Sequence, residues 1–336
     1  MATNRIRADP DGASLLPFGN QVLWVTAMSD SPATSGAAPA SSFKKLYQAP
    51  LPAIIALIIV FVWQGLGHTV MYLMEHKWFP DDVFLASFII GSIGAVLVFV
   101  GRNKSENPAT LLGFIGGSLI WLSWIEFSFV WVADELRVES VMWGAKPTLA
   151  EYRVMLSSIG VMFASLMYFF YNKDTRCNFF MWFHRNLRLK FAERSSVQGR
   201  NIAALVAMEV IYITWFCYIW LLLLYNPNVF GTDHWFTMAN AVFFGIWAIY
   251  LGQRLWWFQR MAPAIRYAIP TAIIGWNLVE VLEKWGHLDE IWVQPQKYAF
   301  ELSMFALALV AVIVLAIVSP ARRVVDRMPT GGQSAT

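Results

Sequence analysis

Residues 303–318 read SMFALALVAVIVLAIV, an apolar run in which Ser303 is the single polar residue. With its flanks this run predicts a helix over 297–319 that crosses a lipid bilayer, because about 20 apolar residues span the hydrocarbon core as an α-helix. The whole chain has the same character. Of its 336 residues 57% are hydrophobic and 14% are charged, whereas a soluble protein carries about 25% charged residues. This composition excludes a soluble Rossmann or barrel enzyme, a secreted disulfide scaffold and a nucleic-acid-binding protein.

Seven further apolar segments are predicted to cross the membrane as helices. The fold class is therefore predicted to be all-α, a polytopic integral membrane bundle of about eight transmembrane helices. The eight predicted helices cover residues 51–75, 82–101, 109–134, 151–172, 200–224, 233–253, 263–283 and 297–319.

The basic residues predict how this bundle is oriented. If both termini are cytoplasmic, all but six of the 25 Lys and Arg residues fall in cytoplasmic segments, as the positive-inside rule requires. This distribution indicates an even number of spans in a cell membrane, and a bacterial inner membrane is the one we expect. The six exceptions are Lys77, Arg137, Lys146, Arg153, Lys284 and Lys297.

A basic loop divides the predicted helices into two halves. Apolar and basic residues alternate in this loop, which predicts either an amphipathic helix on the inner leaflet or a plain cytoplasmic loop. The N-terminal tail has no hydrophobic periodicity and is predicted to be disordered, and Met1 and Met28 are both candidate start residues. The predicted organisation is a disordered tail (1–42), a first four-helix half (43–172), the basic cytoplasmic loop (173–199), a second four-helix half (200–320) and a short cytoplasmic tail (321–336).

Ionisable residues within the predicted helices are the first candidates for a functional site, because a charged side chain in mid-bilayer costs at least about 2.5–3.5 kcal/mol. His68, Glu126 and Glu280 fall in the outer half of their helices; His234 lies at the outer end of its predicted helix and His287 just beyond the outer end of the next. Imidazole and carboxylate groups are ligands for copper, iron and zinc. These five residues therefore predict an outward-facing metal site, with copper as the first choice and iron or zinc as alternatives. Structural hydrogen bonds are the alternative role for each of them.

The buried carboxylates allow two further interpretations. In a proton- or cation-coupled transporter, Glu209 would extend a path from Glu126 and Glu280 towards the inner side, with Asn240 and Asn277 as further polar groups. In a non-catalytic scaffold or assembly subunit of a membrane complex, the same residues would only connect helices.

Two stretches in the second half resemble a known family. GTDHWFTMANAVFFG at 231–245 opens the sixth predicted helix, and WNLVEVLEKWGHLDEIW at 276–292 closes the seventh. Over about residues 231–320 this order resembles the C subunit of the copper membrane monooxygenases, the particulate methane and ammonia monooxygenases. The resemblance implies a membrane metal-dependent oxidoreductase, or a subunit of one, that uses copper. The family's copper motif of one Asp and two His is not matched, and Asn240 falls near the position of the second His.

The sequence also limits the other cofactors and partners. It contains no glycine-rich phosphate loop, the seventh predicted span has no mid-helix Lys, and His68 is the one His clearly inside a predicted helix. We therefore expect no nucleotide, no retinal and no haem. The expected partners are the lipid bilayer, other membrane subunits or a second copy of the chain, and no nucleic acid. No catalytic residue is assigned.

Overall fold

The computed structural model describes residues 48–143, 146–171, 187 and 201–319. The predicted N-terminal tail and C-terminal tail lie outside the described residues, and so does the predicted basic loop apart from Leu187. The described part is a helical bundle with one short β-hairpin, whose strands pair antiparallel with Val141 opposite Thr148.

The helices and strands are numbered in chain order. In the described residues they are α1 (Leu51–Leu73), α2 (Val83–Gly101), α3 (Glu106–Ile120), α4 (Phe127–Glu135), β1 (Val141–Trp143), β2 (Lys146–Thr148), α5 (Ala150–Leu156), α6 (Ile159–Tyr171), α7 (Ile202–Tyr225), α8 (Trp235–Leu255), α9 (Met261–Lys284) and α10 (Ala299–Val318). A π-helical turn at Met74–Trp78 continues α1, a second at Trp121–Glu126 joins α3 to α4, and a 3-10 turn at Ile291–Val293 lies between α9 and α10.

Six helical segments among the described residues are long and apolar enough to cross a membrane. The all-α membrane bundle predicted from the sequence is therefore confirmed. These six segments are Leu51–Trp78, Val83–Gly101, Glu106–Glu135, Ile202–Tyr225, Trp235–Leu255 and Ala299–Val318.

The fourth predicted span, 151–172, is helical but interrupted, since α5 ends before Ser157 and α6 begins after Ser158. The hydroxyl of each of these serines donates to the carbonyl oxygen three residues earlier, at 2.6 Å. Serine hydroxyls that bond to the nearby main chain compete with regular helical hydrogen bonds. This competition gives a local reason for the break.

The seventh predicted span, 263–283, corresponds to α9, which is continuous but is not among the six apolar segments. It carries Arg266, Glu280 and Lys284 and packs against α1, α7 and α8. Many of its residues are buried. The polarity of α9 is thus accommodated by protein contacts.

Apolar side chains cover the outside of the bundle. A helix in lipid keeps its apolar side chains outward, because hydrocarbon tails surround it. Exposed apolar residues of this kind on α2 and α10 are Leu85, Phe88, Ile89, Ile93, Val96, Met304, Leu307, Val310 and Val314.

Small residues bring α3 and α7 into main-chain contact. A Cβ atom at Gly117 would lie 2.6 Å from the Cα atom of Ala207, and one at Gly113 would lie 2.8 Å from the Cα atom of Ala203. Because each pair is four residues apart, the small residues form one stripe on each helix. This pattern is typical of closely packed membrane helices. It joins one helix of the first predicted half to one of the second.

A polar cluster ties three helices together at the end of the bundle where α3 begins. Glu106 pairs with Arg266 at 2.7 Å and with Arg260 at 3.6 Å. Next to it, the side-chain amide of Asn107 donates to the Ser319 hydroxyl at 2.8 Å. The ion pairs are partly exposed and contribute little free energy by themselves, but the cluster fixes the ends of α3, α9 and α10 relative to one another.

Candidate functional site

A cavity of about 120 Å³ lies between α1, α7 and α9, at the end of the bundle where these helices end. The hairpin covers it with Trp143 and Thr148, and the 3-10 turn covers it with Trp292. The cavity therefore has helical walls and a cover made of loops and short elements.

Helical periodicity explains which side chains reach this cavity. Residues at spacings of three and four lie along one face of a helix. The α7 residues that line the cavity are Thr214, Cys217, Tyr218, Leu221, Leu222 and Tyr225. Those of α9 are Ile273, Trp276, Asn277, Glu280, Glu283 and Lys284, and those of α1 are Gln64 and His68.

Trp276 positions two of the residues predicted from the sequence. The indole ring of Trp276 stacks on the His68 imidazole, with a centroid distance of 5.8 Å and an interplanar angle of 10°. Its Nε1–H donates to Oε1 of Glu280 at 2.8 Å. His68 and Glu280 are thus held at the same wall by one aromatic side chain.

Trp292 closes the cavity over α1. A Cβ atom at Gly65 would lie 2.6 Å from the Cε3 atom of the Trp292 ring, so the ring packs directly on the glycine. Trp292 also packs against Trp276, at a centroid distance of 5.5 Å, and against Phe305, at 5.8 Å. This cover is therefore held by contacts with three helices.

Glu126 lies behind the cavity wall. The residue is 5% exposed, and it is the last residue of the π-helical turn between α3 and α4. Its hydrogen-bond partner is the hydroxyl group of Tyr218, which in turn interacts with the hydroxyl group of Tyr152. Because both tyrosines line the cavity, two hydroxyl groups connect Glu126 to it. Turns of π-helix occur frequently at functional sites.

Two buried polar atoms of the cavity wall have no hydrogen-bond partner, namely Oη of Tyr225 and Oδ1 of Asn277. The two side chains are 5% and 3% exposed. The Nδ2 atom of Asn277 donates to the Ile273 carbonyl at 2.8 Å, so the unpaired atom of this side chain is the acceptor Oδ1. Leaving a buried polar atom unpaired costs about 1–3 kcal/mol, and a bound ligand is one way to recover this cost.

Charged side chains line part of the cavity wall. They are Glu280, Glu283, Glu290 and Lys284, and Glu283 and Glu290 have interaction partners of their own. The Lys284 ammonium lies 5.8 Å from the centroid of the Tyr225 ring. The remaining wall is rich in aromatic rings, and together with the Glu280 carboxylate these rings favour a positively charged ligand.

The other two predicted metal ligands, His234 and His287, do not line this cavity. His234 precedes α8, and its Nδ1 atom accepts a hydrogen bond from the Phe236 N–H at 3.2 Å, which makes it an N-cap. His287 is exposed, because α9 ends at Lys284 and Gly286 turns the chain with a φ of 77°. Among the described residues, no three His, Cys, Asp or Glu side chains lie close enough to hold one metal ion.

Two residues of the predicted ion path also lie away from the cavity. Asn240 is buried and accepts a hydrogen bond from the Trp220 indole at 3.0 Å. Glu209 precedes Thr214 by five residues, which places it about 140° around α7 from the face that lines the cavity. The structure therefore brings together Asn277 and Glu280, with Glu126 close by, and leaves Glu209 and Asn240 on other faces.

The sequence interpretation missed the tyrosines and tryptophans of the cavity, because it considered only histidines, carboxylates and amides within the helices. A usable signal was present in the spacing of Thr214, Cys217, Tyr218 and Tyr225, which puts four polar or polarisable side chains on one face of an apolar helix.

Comparison of the chain with protein-family models, curated proteins and solved structures found no match. The resemblance to the copper monooxygenases stays a prediction, and the function has to be argued from the cavity.

Proposed function

We propose that this protein is a multi-pass membrane carrier that takes up a small cation into the cavity between α1, α7 and α9. The observation that carries the proposal is the composition of the cavity wall, in which the Glu280 carboxylate lies among aromatic rings and two buried polar atoms lack partners. Such a wall favours a cation over water alone, because the cation pairs with the carboxylate and satisfies the unpaired atoms.

In this proposal all eight predicted spans cross a cell membrane, with both termini in the cytoplasm. The distribution of Lys and Arg supports this orientation. It places the cavity at the outer face, because α1, α7 and α9 all end at the cavity. The cation then enters from the outside, and a bacterial inner membrane is the membrane we propose.

Interrupted helices near the cavity support a carrier. Transporters bind their substrates where membrane helices are broken or locally unwound. Here the π-helical turn at Trp121–Glu126 contains Glu126, a break separates α5 from α6, and Pro270 lies inside α9. These three features give the bundle places at which its helices can bend.

Currents across reconstituted membranes test the carrier. We expect the full-length protein in liposomes to give transient currents after a concentration jump of at least one of H⁺, Na⁺, K⁺ or ethylammonium. Glu280→Gln should reduce the peak current about tenfold or more, because it removes a charged partner of the cation. Glu301→Gln is the matched control, since Glu301 is an exposed carboxylate at the start of α10, and it should leave the current unchanged. Wild-type liposomes that give no current with any of the four cations would contradict the proposal.

A metal-dependent membrane oxidoreductase, or a subunit of one, is the second candidate. It is favoured by the presence of His68, Cys217 and Glu280 in the wall of one cavity, because imidazole, thiolate and carboxylate groups bind copper, iron and zinc. The residues that would hold the metal are separated in this structure, so the proposal requires the cavity to close around it.

Elemental analysis tests this second candidate. The purified protein is expected to retain about one copper, iron or zinc ion per chain, and a His68→Ala, Glu126→Ala double variant to lose it. The control is His287→Ala, because His287 is exposed and lies outside the cavity. A wild-type protein that is folded and free of metal after purification in metal-containing buffer contradicts the oxidoreductase. If the protein also gives no currents, the scaffold subunit is the function that remains.

A further inference from the structure

We infer that the ligand of the cavity is a small primary or secondary alkylammonium ion, held by aromatic rings and by the Asn277 amide oxygen. This inference rests on the proposed function, since it names the class of cation that the cavity takes up. Size, charge, ring geometry and hydrogen-bonding capacity each restrict the ligand independently.

The volume of the cavity limits the ligand to a few atoms. An engineered protein cavity of roughly 150 Å³ holds benzene, which has six carbon atoms. The present cavity measures about 120 Å³, so a ligand of roughly five non-hydrogen atoms or fewer fits without rearrangement of the walls. Large organic cations, nucleotides and lipids are therefore excluded from it.

Aromatic rings surround the space on several sides. Trp276 and Trp292 form one corner, with their ring centroids 5.5 Å apart. Tyr152 and Tyr218 form another, with centroids 5.9 Å apart, and Trp143 comes from the hairpin. The faces of such rings attract ammonium groups by cation–π interaction. An alkylammonium ion also buries its methyl or methylene groups against the rings, which a hydrated metal ion cannot do.

The unpaired atoms require a hydrogen-bond donor. Oδ1 of Asn277 can only accept a hydrogen bond, and it has no partner in the cavity wall. Oη of Tyr225 accepts as well as donates, and it is also unpaired. A ligand with N–H groups satisfies both atoms, whereas a quaternary ammonium ion has no N–H to donate. Donating to both atoms takes at least two N–H groups, so the ligand is a primary or secondary ammonium ion.

The Glu280 carboxylate decides between a protonated amine and a neutral alcohol of the same size. One oxygen of Glu280 accepts from the Trp276 indole, and its second oxygen is available for an ammonium group. The Lys284 ammonium lies against the Tyr225 ring, 5.8 Å from its centroid. Ethylammonium, with three non-hydrogen atoms, represents the class we expect.

Calorimetric titration of the purified full-length protein at pH 7 tests this inference. Ethylammonium chloride is expected to bind saturably to one site per chain. Three comparison probes each change one property: ethanol lacks the charge, tetramethylammonium lacks the N–H groups, and glycine adds a carboxylate. Each should bind at least about tenfold more weakly, as expected when a buried charge or acceptor loses its partner.

Two variants locate the site. Tyr225→Phe removes only the unpaired hydroxyl group, so it is expected to keep or raise the thermal stability while weakening ethylammonium binding severalfold. Glu280→Gln is expected to weaken it about tenfold or more, and Glu301→Gln should leave it unchanged. A purely structural Tyr225 would give the stability change without the change in affinity.

The possible results test the inferred ligand and the proposed carrier function separately. Equal binding of ethanol or tetramethylammonium, tighter binding of glycine, or no binding of ethylammonium overturns the inferred ligand. If Na⁺ or H⁺ currents persist in that case, the carrier stands with another cation. If ethylammonium binds as expected and no current is found, the carrier fails and the ligand site stands.

Discussion

Replacing Gly117 by leucine is expected to separate α3 from α7 and to remove most of the folded protein. Even the first atom of the new side chain would lie 2.6 Å from the Cα atom and 2.8 Å from the carbonyl oxygen of Ala207. Main-chain atoms cannot avoid the collision by a change of rotamer, as a side chain can, so the helices must move apart. Overpacking typically costs about 1–3 kcal/mol, and a collision with main-chain atoms belongs at the upper end of this range. For a chain of 336 residues a cost of about 3 kcal/mol corresponds to a decrease in Tm of roughly 4 °C.

The thermal unfolding of the detergent-purified variant and its yield after size-exclusion chromatography measure this effect. Gly252→Leu is the matched control, because no atom lies within 4 Å of a Cβ at Gly252 in α8. It makes the same substitution in another helix of the bundle. A Gly117→Leu protein that is as stable and as monodisperse as Gly252→Leu would show that α3 and α7 do not depend on this close contact.

The course of the helices could be predicted because hydrophobicity along a membrane chain is a local property. The predicted helix at 200–224 corresponds to α7, Ile202–Tyr225, and the predicted helix at 233–253 to α8, Trp235–Leu255. The break within 151–172 could not be predicted from apolar composition, since it depends on the serine hydroxyls that bond to the main chain. Apolar composition does not predict the π-helical turns either.

Part of the candidate site could be predicted from helical spacing. Gln64 and His68, four residues apart, both line the cavity, as do Asn277, Glu280 and Lys284. At the same helical spacings, Tyr72 follows His68 by four residues and His287 follows Lys284 by three. Neither residue lines the cavity.

Tyr72 still lies in regular α-helix, one turn beyond His68, and it stacks on His76 at a centroid distance of 4.4 Å. His287 lies beyond the end of regular α-helix. Its N–H bonds to the Leu282 carbonyl and that of Gly286 bonds to the Glu283 carbonyl, each at 2.9 Å. This pair of bonds with a glycine in the left-handed region terminates a helix. Extrapolating a periodic pattern past such a point places residues on the wrong face.

The sequence could not show which helix faces which. Glu126 and Glu209 are equivalent in type, as single carboxylates in apolar helices, yet Glu126 contacts Tyr218 next to the cavity and Glu209 lies on another face of α7. Distinguishing them requires the packing of α3, α7 and α9, which depends on small residues such as Gly113 and Ala203 and on long-range contacts. Ionisable residues alone therefore suggested a larger site than the one the bundle assembles.

Replacing Gly65 by alanine is expected to displace the cover of the cavity and to weaken ligand binding about tenfold or more. The new methyl group would collide with several atoms of the Trp292 ring, so the indole has to leave its place against Trp276 and Phe305. Because the ring is one wall of the cavity, the cation loses a cation–π partner and the cavity opens to water. The lost ring contacts also lower the stability by about 1–3 kcal/mol.

Gly67→Ala is the control for this variant, because a Cβ at Gly67 approaches only the Leu122 side chain, at 3.9 Å. Alanine is favoured over glycine inside a helix by about 1 kcal/mol, so Gly67→Ala is expected to raise the stability slightly and to keep ligand binding. The two glycines lie two residues apart on α1, and the opposite signs of their effects identify the collision with Trp292 as the cause. Calorimetric titration with ethylammonium and thermal unfolding measure both effects.

A double-mutant cycle completes the argument. In a Trp292→Ala background the indole is absent, so Gly65→Ala has nothing to displace and should raise the stability as Gly67→Ala does. Coupling of this kind between two substitutions is expected only for residues in direct contact. If Gly65→Ala destabilises the protein equally with and without the indole, Trp292 is not held against Gly65, and the cavity has a different cover from the one described here.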